Sequence, residues 1–227
     1  DNTNSLVGSN TDDQVGVDYD NFFIMSPYWG NNQGAWTYVN PDTNSLANGL
    51  TGLFGTVDAT NSLIGGTGGD TTGSFANSQN LRGQIGYLQN QYWDAPGGAP
   101  VIDAGAVTLL NLTTGKFLDD TNAVGVISSA NSLVGSAADD RVGWQVQYLG
   151  SDYLVHSPYW GGGQGAWTWV DSVAGELADG SAFKGVVSTS NSLVGGTSGG
   201  TVTLATVQQL SGYIRALRIS NWDSPTI

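Results

Sequence analysis

A single histidine, His156, lies in the segment YLVHSP. It is the side chain that titrates closest to neutrality, so imidazole chemistry in this chain would run through it. Ser157 follows directly, which makes a Ser/His/Asp arrangement conceivable. Yet Ser157 belongs to a segment written twice, and Met25 stands where His156 stands in the other copy. A place that accepts methionine is a packing place. There is no cysteine, which removes thiolate nucleophiles, disulfides and thiolate zinc sites and leaves the compartment open. Aspartate pairs at 12–13, 119–120 and 139–140 offer the carboxylates of a glycosidase or a cation site. Adjacent residues on a strand point to opposite faces, however, and turn aspartates are commonly taken up by turn N–H groups. GGTGGD at 65–70 lacks the lysine of a phosphate loop and a following helix. The expectation is a protein with no catalytic residue, no metal and no cofactor.

One further chemistry is carried by the duplicated segment, SPYWGNNQGAWTYVN at 26–40 and SPYWGGGQGAWTWVD at 157–171. A sugar ring needs an aromatic plane for its C–H face and polar groups for its hydroxyls. Tyr28, Trp29, Asn31, Asn32 and Gln33 form one such set, and Tyr159, Trp160 and Gln164 form another. The same aromatics serve equally well as packing between units, so both readings stand at this point.

These segments are positioned by an internal repeat, which governs the fold. NSLVG occurs at 4–8, 131–135 and 191–195, with NSLIG at 61–65, at spacings of 57, 70 and 60 residues. Each is followed by an aromatic mark (Tyr28-Trp29, Tyr92-Trp93, Tyr159-Trp160, Asn221-Trp222), and three of the four by GAWT or GAVT. The units run approximately 4–60, 61–130, 131–190 and 191–227 within one repeat domain, the last unit incomplete. Each reads as a Gly-rich SLVG turn, an Asp-rich turn, two strands, the aromatic turn, the GA-x-T strand, a loop and a fourth strand. In the first unit the four strands are QVGVDYD, FFIMSP, GAWTYVN and GTVDAT. The only hint of a helical period, TVQQLSGYIRALRIS at 206–220, is broken by Gly212 and β-branched residues. The chain is therefore all-β: tandem four-stranded antiparallel units, β-propeller-like, with a linear stack of small sheets as the alternative.

Alternation within the GA-x-T strands indicates how units meet. Ala35, Thr37 and Val39 share one face and Trp36 and Tyr38 the other; Ala166, Thr168 and Val170 oppose Trp167 and Trp169; Ala106, Thr108 and Leu110 oppose Val107 and Leu109. No face is charged, so such a strand is covered on both sides, large residues of one unit against small residues of the next.

The order of marks resembles the FG-GAP blades of integrin-type propellers, in which an apolar strand ending in a small-residue-Pro pair leads to a Gly-Ala strand. The calcium loop of that family has no counterpart at DYDN (18–21), LRG (81–83) or LGSD (149–152). The tandem NSLVGS, DD-VG, SP-W and GA-TW marks also resemble the repeat tracts of large secreted bacterial filamentous-haemagglutinin-like exoproteins. That resemblance implies an extracellular or cell-surface repeat protein with a structural or adhesive role, and no catalytic residue.

Eighteen Asp and one Glu against six basic residues give a net charge of −13, which repels phosphate backbones and anionic lipid. Nucleic acid is excluded as an expected partner. No stretch reaches the ~18 apolar residues of a membrane span, so no membrane insertion is expected. The fourth unit ends at SNWDSPTI before a GA-x-T strand, and DNTNSLVGSN supplies a connecting turn only. Unpaired sheet edges accept strands from other chains. The expected partners are copies of this chain or adjoining repeats of a longer one, meeting through Asn4, Ser5 and Leu6 at one end and Ser220, Asn221 and Trp222 at the other, with a glycan as the other candidate ligand.

Overall fold

The computed structural model describes residues 1–19, 22–74, 84–150 and 152–196, together with the backbone of 205–211 and 214–219. The first repeat contributes β1 (Leu6–Val7), β2 (Asp18–Tyr19), β3 (Phe23–Ser26), β4 (Ala35–Asn40), β5 (Ser45–Leu46) and β6 (Gly55–Thr56). The second contributes β7 (Leu63–Ile64), β8 (Ile85–Asn90), β9 (Ala106–Asn111), β10 (Lys116–Phe117) and β11 (Gly125–Val126). The third contributes β12 (Leu133–Val134), β13 (Gln145–Tyr148), β14 (Asp152–Ser157), β15 (Ala166–Asp171), β16 (Glu176–Leu177) and β17 (Gly185–Val186). β18 (Leu193–Val194), β19 (Ala205–Ser211) and β20 (Ile214–Ile219) follow. The segment with the helical hint is thus an antiparallel pair, β19 with β20. No helix among the described residues is long and apolar enough to cross a membrane.

The strands form several small sheets, the three larger ones each shared by two consecutive repeats. One runs β2-β3-β4-β7-β11, the next β8-β9-β12-β17, and the third β13-β14-β15-β18; β1 pairs with β6 alone. Strands β5, β10 and β16 fold back onto the ends of β4, β9 and β15. Two expectations are corrected by this pattern. The SLVG segment is a two-residue strand rather than a turn: β7, β12 and β18 lie antiparallel to the GA-x-T strands β4, β9 and β15. The fourth strand of each unit does not complete its own unit's sheet. It runs parallel to the SLVG strand that opened the repeat, as β6 to β1, β11 to β7 and β17 to β12. Parallel neighbours need a long crossover, and the intervening hairpin, which belongs to the next sheet, is that crossover. A repeat therefore starts in one sheet, builds most of the next and returns. No sheet closes on itself among the described residues, and a propeller is not seen; the arrangement fits the stack of small sheets.

The stacking is the one the side-chain alternation called for. Trp36, Tyr38, Phe23 and Met25 of the first large sheet share a buried cluster with Ala104, Ala106, Leu88, Leu110 and Trp93 of the second. On the opposite face of the second sheet, Tyr87, Val107 and Leu109 share a cluster with Ala166, Tyr153, Val155 and Val170 of the third. β9 is thus covered on both sides, and the bulky residues at each joint meet small neighbours (Ala104 and Ala106, or Ala166) together with large ones (Leu88, Leu110 and Trp93, or Tyr153). A third cluster sets Ala35 and Ile64 beside Trp29 and Val57, with Leu6 packed against them. Buried polar groups cross the joints as well. The Tyr38 hydroxyl donates to Leu112 O at 2.6 Å and that of Tyr153 to Ile85 O at 2.8 Å. Burial pushes the Tyr38 phenol up to about 12. At the rim Lys184 Nζ reaches Asp119 at 2.9 Å and, chiefly through that hydrogen bond, holds its carboxyl down at about 2.

Candidate functional site

The Tyr28-Trp29 and Tyr159-Trp160 turns are left-handed. Gly30, Asn31 and Asn32 have φ of 62, 60 and 63°, and Gly161, Gly162 and Gly163 have 64, 70 and 90°. Three successive residues in this region are costly for side chains other than glycine and asparagine, which is why the copies read GNN and GGG. The turn is clamped from the Asp-rich loop. Asp13 Oδ1 accepts the Gly30 N–H at 2.8 Å, while its Oδ2 accepts those of Ser9 and Asn10. Asp140 does the same with Gly161, Ser136 and Ala137, and Asp70 with Asp94, Gly66 and Thr67. Burial works to raise the Asp13 carboxyl, but the hydrogen bonds from Asn10, Gly30 and Ser9 bring it below its ordinary value. Asp70 lies deeper, and there burial prevails and pushes the carboxyl up.

The aspartate pairs accordingly divide into separate duties. Asp13 and Asp140 hold turns, whereas Asp12 is exposed and Asp139 pairs with Arg141. Asp119 meets Lys184 and Asp120 meets Lys116. Among the described residues no three His, Cys, Asp or Glu side chains cluster as metal ligands would. His156 is buried and stacks on Trp167, ring centroids 4.0 Å apart. The two are cross-strand partners, so the rings stack side by side on one face of the β14–β15 pair.

The two candidate sugar-binding sets are split by the structure. Trp29 is 7% exposed and belongs to the core, Trp160 packs against the second joint, and Gln33 Nε2 donates to Gly65 O at 2.7 Å. Gln164 lies half-buried beneath the turn, its side chain close to Gly161. Tyr28 and Tyr159 remain 45% and 41% exposed. Tyr28, Asn31 and Asn32 line a shallow polar groove with Asn10, Thr11 and Asp12. At the second joint two residues join the surface that the sequence did not single out. Trp144 meets Tyr159 edge-on at 5.0 Å, and the Arg141 guanidinium sits 5.6 Å from the Tyr92 ring and 5.5 Å from that of Tyr159. The one sequence signal for Arg141 was its place directly after the repeated turn aspartate, where Gln14 and Thr71 stand in the other copies.

The candidate assembly residues Asn4, Ser5 and Leu6 lie on or beside β1, whose only strand partner among the described residues is β6. Ser220, Asn221 and Trp222 lie outside the described residues. Every other SLVG strand pairs with a GA-x-T strand, always in one register: Ala35 opposite Ile64, Ala106 opposite Val134, Ala166 opposite Val194. Each of these joints also holds a hydroxyl pair, Thr37 with Ser62 at 2.7 Å, Thr108 with Ser132 at 2.6 Å and Thr168 with Ser192 at 2.6 Å. Each is closed by a glycine N–H donating to a glycine carbonyl, Gly65 to Gly34, Gly135 to Gly105 and Gly195 to Gly165.

Comparison with known proteins agrees with this periodicity. A family model described as a repeat of unknown function (DUF5650) matches residues 1–17, 18–74, 88–144 and 150–204. The long matched segments end ten residues beyond an SLVG strand, so each takes in a GA-x-T strand and the SLVG strand paired to it. A search of curated proteins gives no match.

Proposed function

The chain belongs to the family of repeats of unknown function (DUF5650), and from that premise we propose that it is a non-enzymatic structural or adhesive repeat module that associates with further repeats through its open sheet edges. The observation that carries this reading is the sharing of sheets: a repeat begins in one sheet and builds most of the next, so each end of a run is half a joint. The resemblance of its marks to filamentous-haemagglutinin-like exoproteins supports a place outside the cell or on its surface. Head-to-tail addition of this kind gives an open stack where the rotation between units does not close. The test is the solution mass across a concentration series, with electron microscopy of the same samples. Concentration-dependent growth into long regular particles is the expected result, and a stable monomer throughout would overturn self-association.

A second reading, glycan binding, is favoured by one observation: Tyr28 and Tyr159 stay exposed on corresponding turns although their tryptophan neighbours are drawn inward. Its surface would be Tyr28, Asn31, Asn32 and Asp12 at one turn and Tyr159, Trp144 and Arg141 at another. Replacing both tyrosines by alanine should leave the unfolding midpoint within about 0.5 kcal/mol of the parent, as surface substitutions do. Oligosaccharide-array binding that is present in the parent and lost in this variant supports a lectin. Binding that is missing from the parent, or that survives in the variant, removes the reading.

A further inference from the structure

We infer that β1 is a preformed acceptor for the Gly-Ala-x-Thr strand of a further copy of this repeat, in a register fixed by Ser5, Leu6, Val7 and Gly8. The inference rests on the self-association reading and specifies which segment docks, and where.

The acceptor is already in its working shape. In the internal copies the asparagine before the serine ties the segment together: Asn61 Oδ1 accepts from Asp58 N and from the Ser62 hydroxyl, and Asp58 Oδ1 accepts from Thr60 N. The first copy repeats this with other residues. Asn4 Oδ1 accepts from Asp1 N and from the Ser5 hydroxyl, and Asp1 Oδ1 accepts from Thr3 N. The parallel neighbour is in place too. Gly55 N donates to Ser5 O and Val57 N to Val7 O, as Gly125 does to Ser62 and Ile127 to Ile64. Since N–H and C=O of one strand residue point the same way, Ser5 and Val7 face β6, and Leu6 and Gly8 face the edge that no described strand occupies.

What the open edge asks for can be copied from the three occupied joints. The donor alanine lies opposite Val7 and residue x opposite Leu6, as in Ala35 with Ile64 and Trp36 with Leu63. The donor glycine carbonyl takes the Gly8 N–H, as Gly34 takes that of Gly65. In an antiparallel pair hydrogen-bonded positions alternate, so residue x is the next bonded position and its N–H meets Leu6 O. The donor threonine hydroxyl meets Ser5 Oγ. At the first two internal joints these hydroxyl pairs are buried, with Ser62 and Thr37 both at 0% exposure, whereas Ser5 is exposed. Leu6 is only half-covered, and the inner side of its cluster is formed by Trp29, Ala35 and Val57. The donor commits to one chemistry: glycine to let the backbones approach, alanine to fit beside Val7, and threonine to pair with serine.

The probe is a fluorescein-labelled peptide of residues 33–40, QGAWTYVN, added to the full chain and followed by anisotropy. Saturable binding at one peptide per chain is expected. N-methylation at the peptide's tryptophan removes the N–H aimed at Leu6 O and should abolish it. Ser5→Ala in the protein, at an exposed position, should weaken the parent peptide about three- to tenfold. It should leave the affinity for a peptide carrying valine in place of threonine unchanged. Absence of binding, equal binding of the N-methylated peptide, or indifference to Ser5→Ala would each overturn the inference. The two readings fail separately. Growth that persists under saturating peptide would refute this docking mode and leave self-association standing. A monomer that binds the peptide as described would support the acceptor edge and refute self-association.

Discussion

Gly105→Ala will destabilise the protein by about 3 kcal/mol or more, a larger loss than any surface substitution should give. Two independent penalties meet at this residue. Its φ is +76°, a region that costs an L-residue of order 1–3 kcal/mol. A Cβ would also be driven into the backbone of the next repeat, meeting the nitrogen of Val142 and lying 2.5 Å from its oxygen. The crossing is held from both sides, because Val142 N donates to Ala104 O at 3.0 Å and the Gly105 carbonyl accepts from Gly135 N at 3.1 Å. Gly34 is in the same position against Thr72, so the crossing is a property of the repeat. Gly98→Ala supplies the control: a Cβ there meets nothing within 4 Å, and the change should be neutral within about 0.5 kcal/mol. Urea unfolding of the two variants side by side checks this. Equal midpoints would mean that the strand entry is loose and the joint is not built around glycine.

That glycine marks the boundary of what could be read from the sequence. Side-chain alternation is a local property, and it carried the stacking of sheets with β9 covered on both faces, but not the full set of neighbours: Trp36 and Tyr38 meet Leu88, Leu110 and Trp93 as well as alanines, and Val107 and Leu109 meet Tyr153. Strand partners are not local. Leu63 and Gly125 lie 62 residues apart and pair in parallel, and nothing in LIG or VGV distinguishes a strand from a turn when each strand is two residues long. The same limit applied to the sites. Tyr28 and Trp29 are adjacent in a single turn, so their types suggested one sugar-binding set. Only the left-handed geometry at Gly30 to Asn32 decides that one ring faces solvent and the other the core. Asp13 and Asp140 were legible as turn residues from the general habit of aspartate, but not as clamps on a turn 17 or 21 residues away. The hydroxyl pairs of threonine with serine were invisible for the same reason. Each residue is ordinary in its own segment, and only the register of the joint brings them together.

Trp36 tests whether the alternation of bulk is the device that joins repeats. It is 1% exposed, faces Met25 across the sheet and shares a buried cluster with Ala104, Ala106 and Leu110 of the next repeat. Trp36→Ala should cost about 3–5 kcal/mol, since the space it leaves is bounded by strands from two sheets and cannot collapse without moving both. Trp36→Phe should cost far less, under about 2 kcal/mol. The indole Nε1 is buried with no hydrogen-bond partner, so phenylalanine gives up volume but no bond and relieves an unpaired N–H. A ranking of alanine far below phenylalanine says that the tryptophan is there for its bulk. A partner change then separates packing from local strand propensity. Ala106→Leu alone should destabilise by crowding Trp36, but in the Trp36→Ala background it should restore part of the loss. The sign of that coupling, read from a double-mutant cycle of unfolding midpoints, is decisive. Additive losses would mean that Trp36 and Ala106 do not share a joint. A favourable coupling would mean that one repeat recognises the next by the size of its residues.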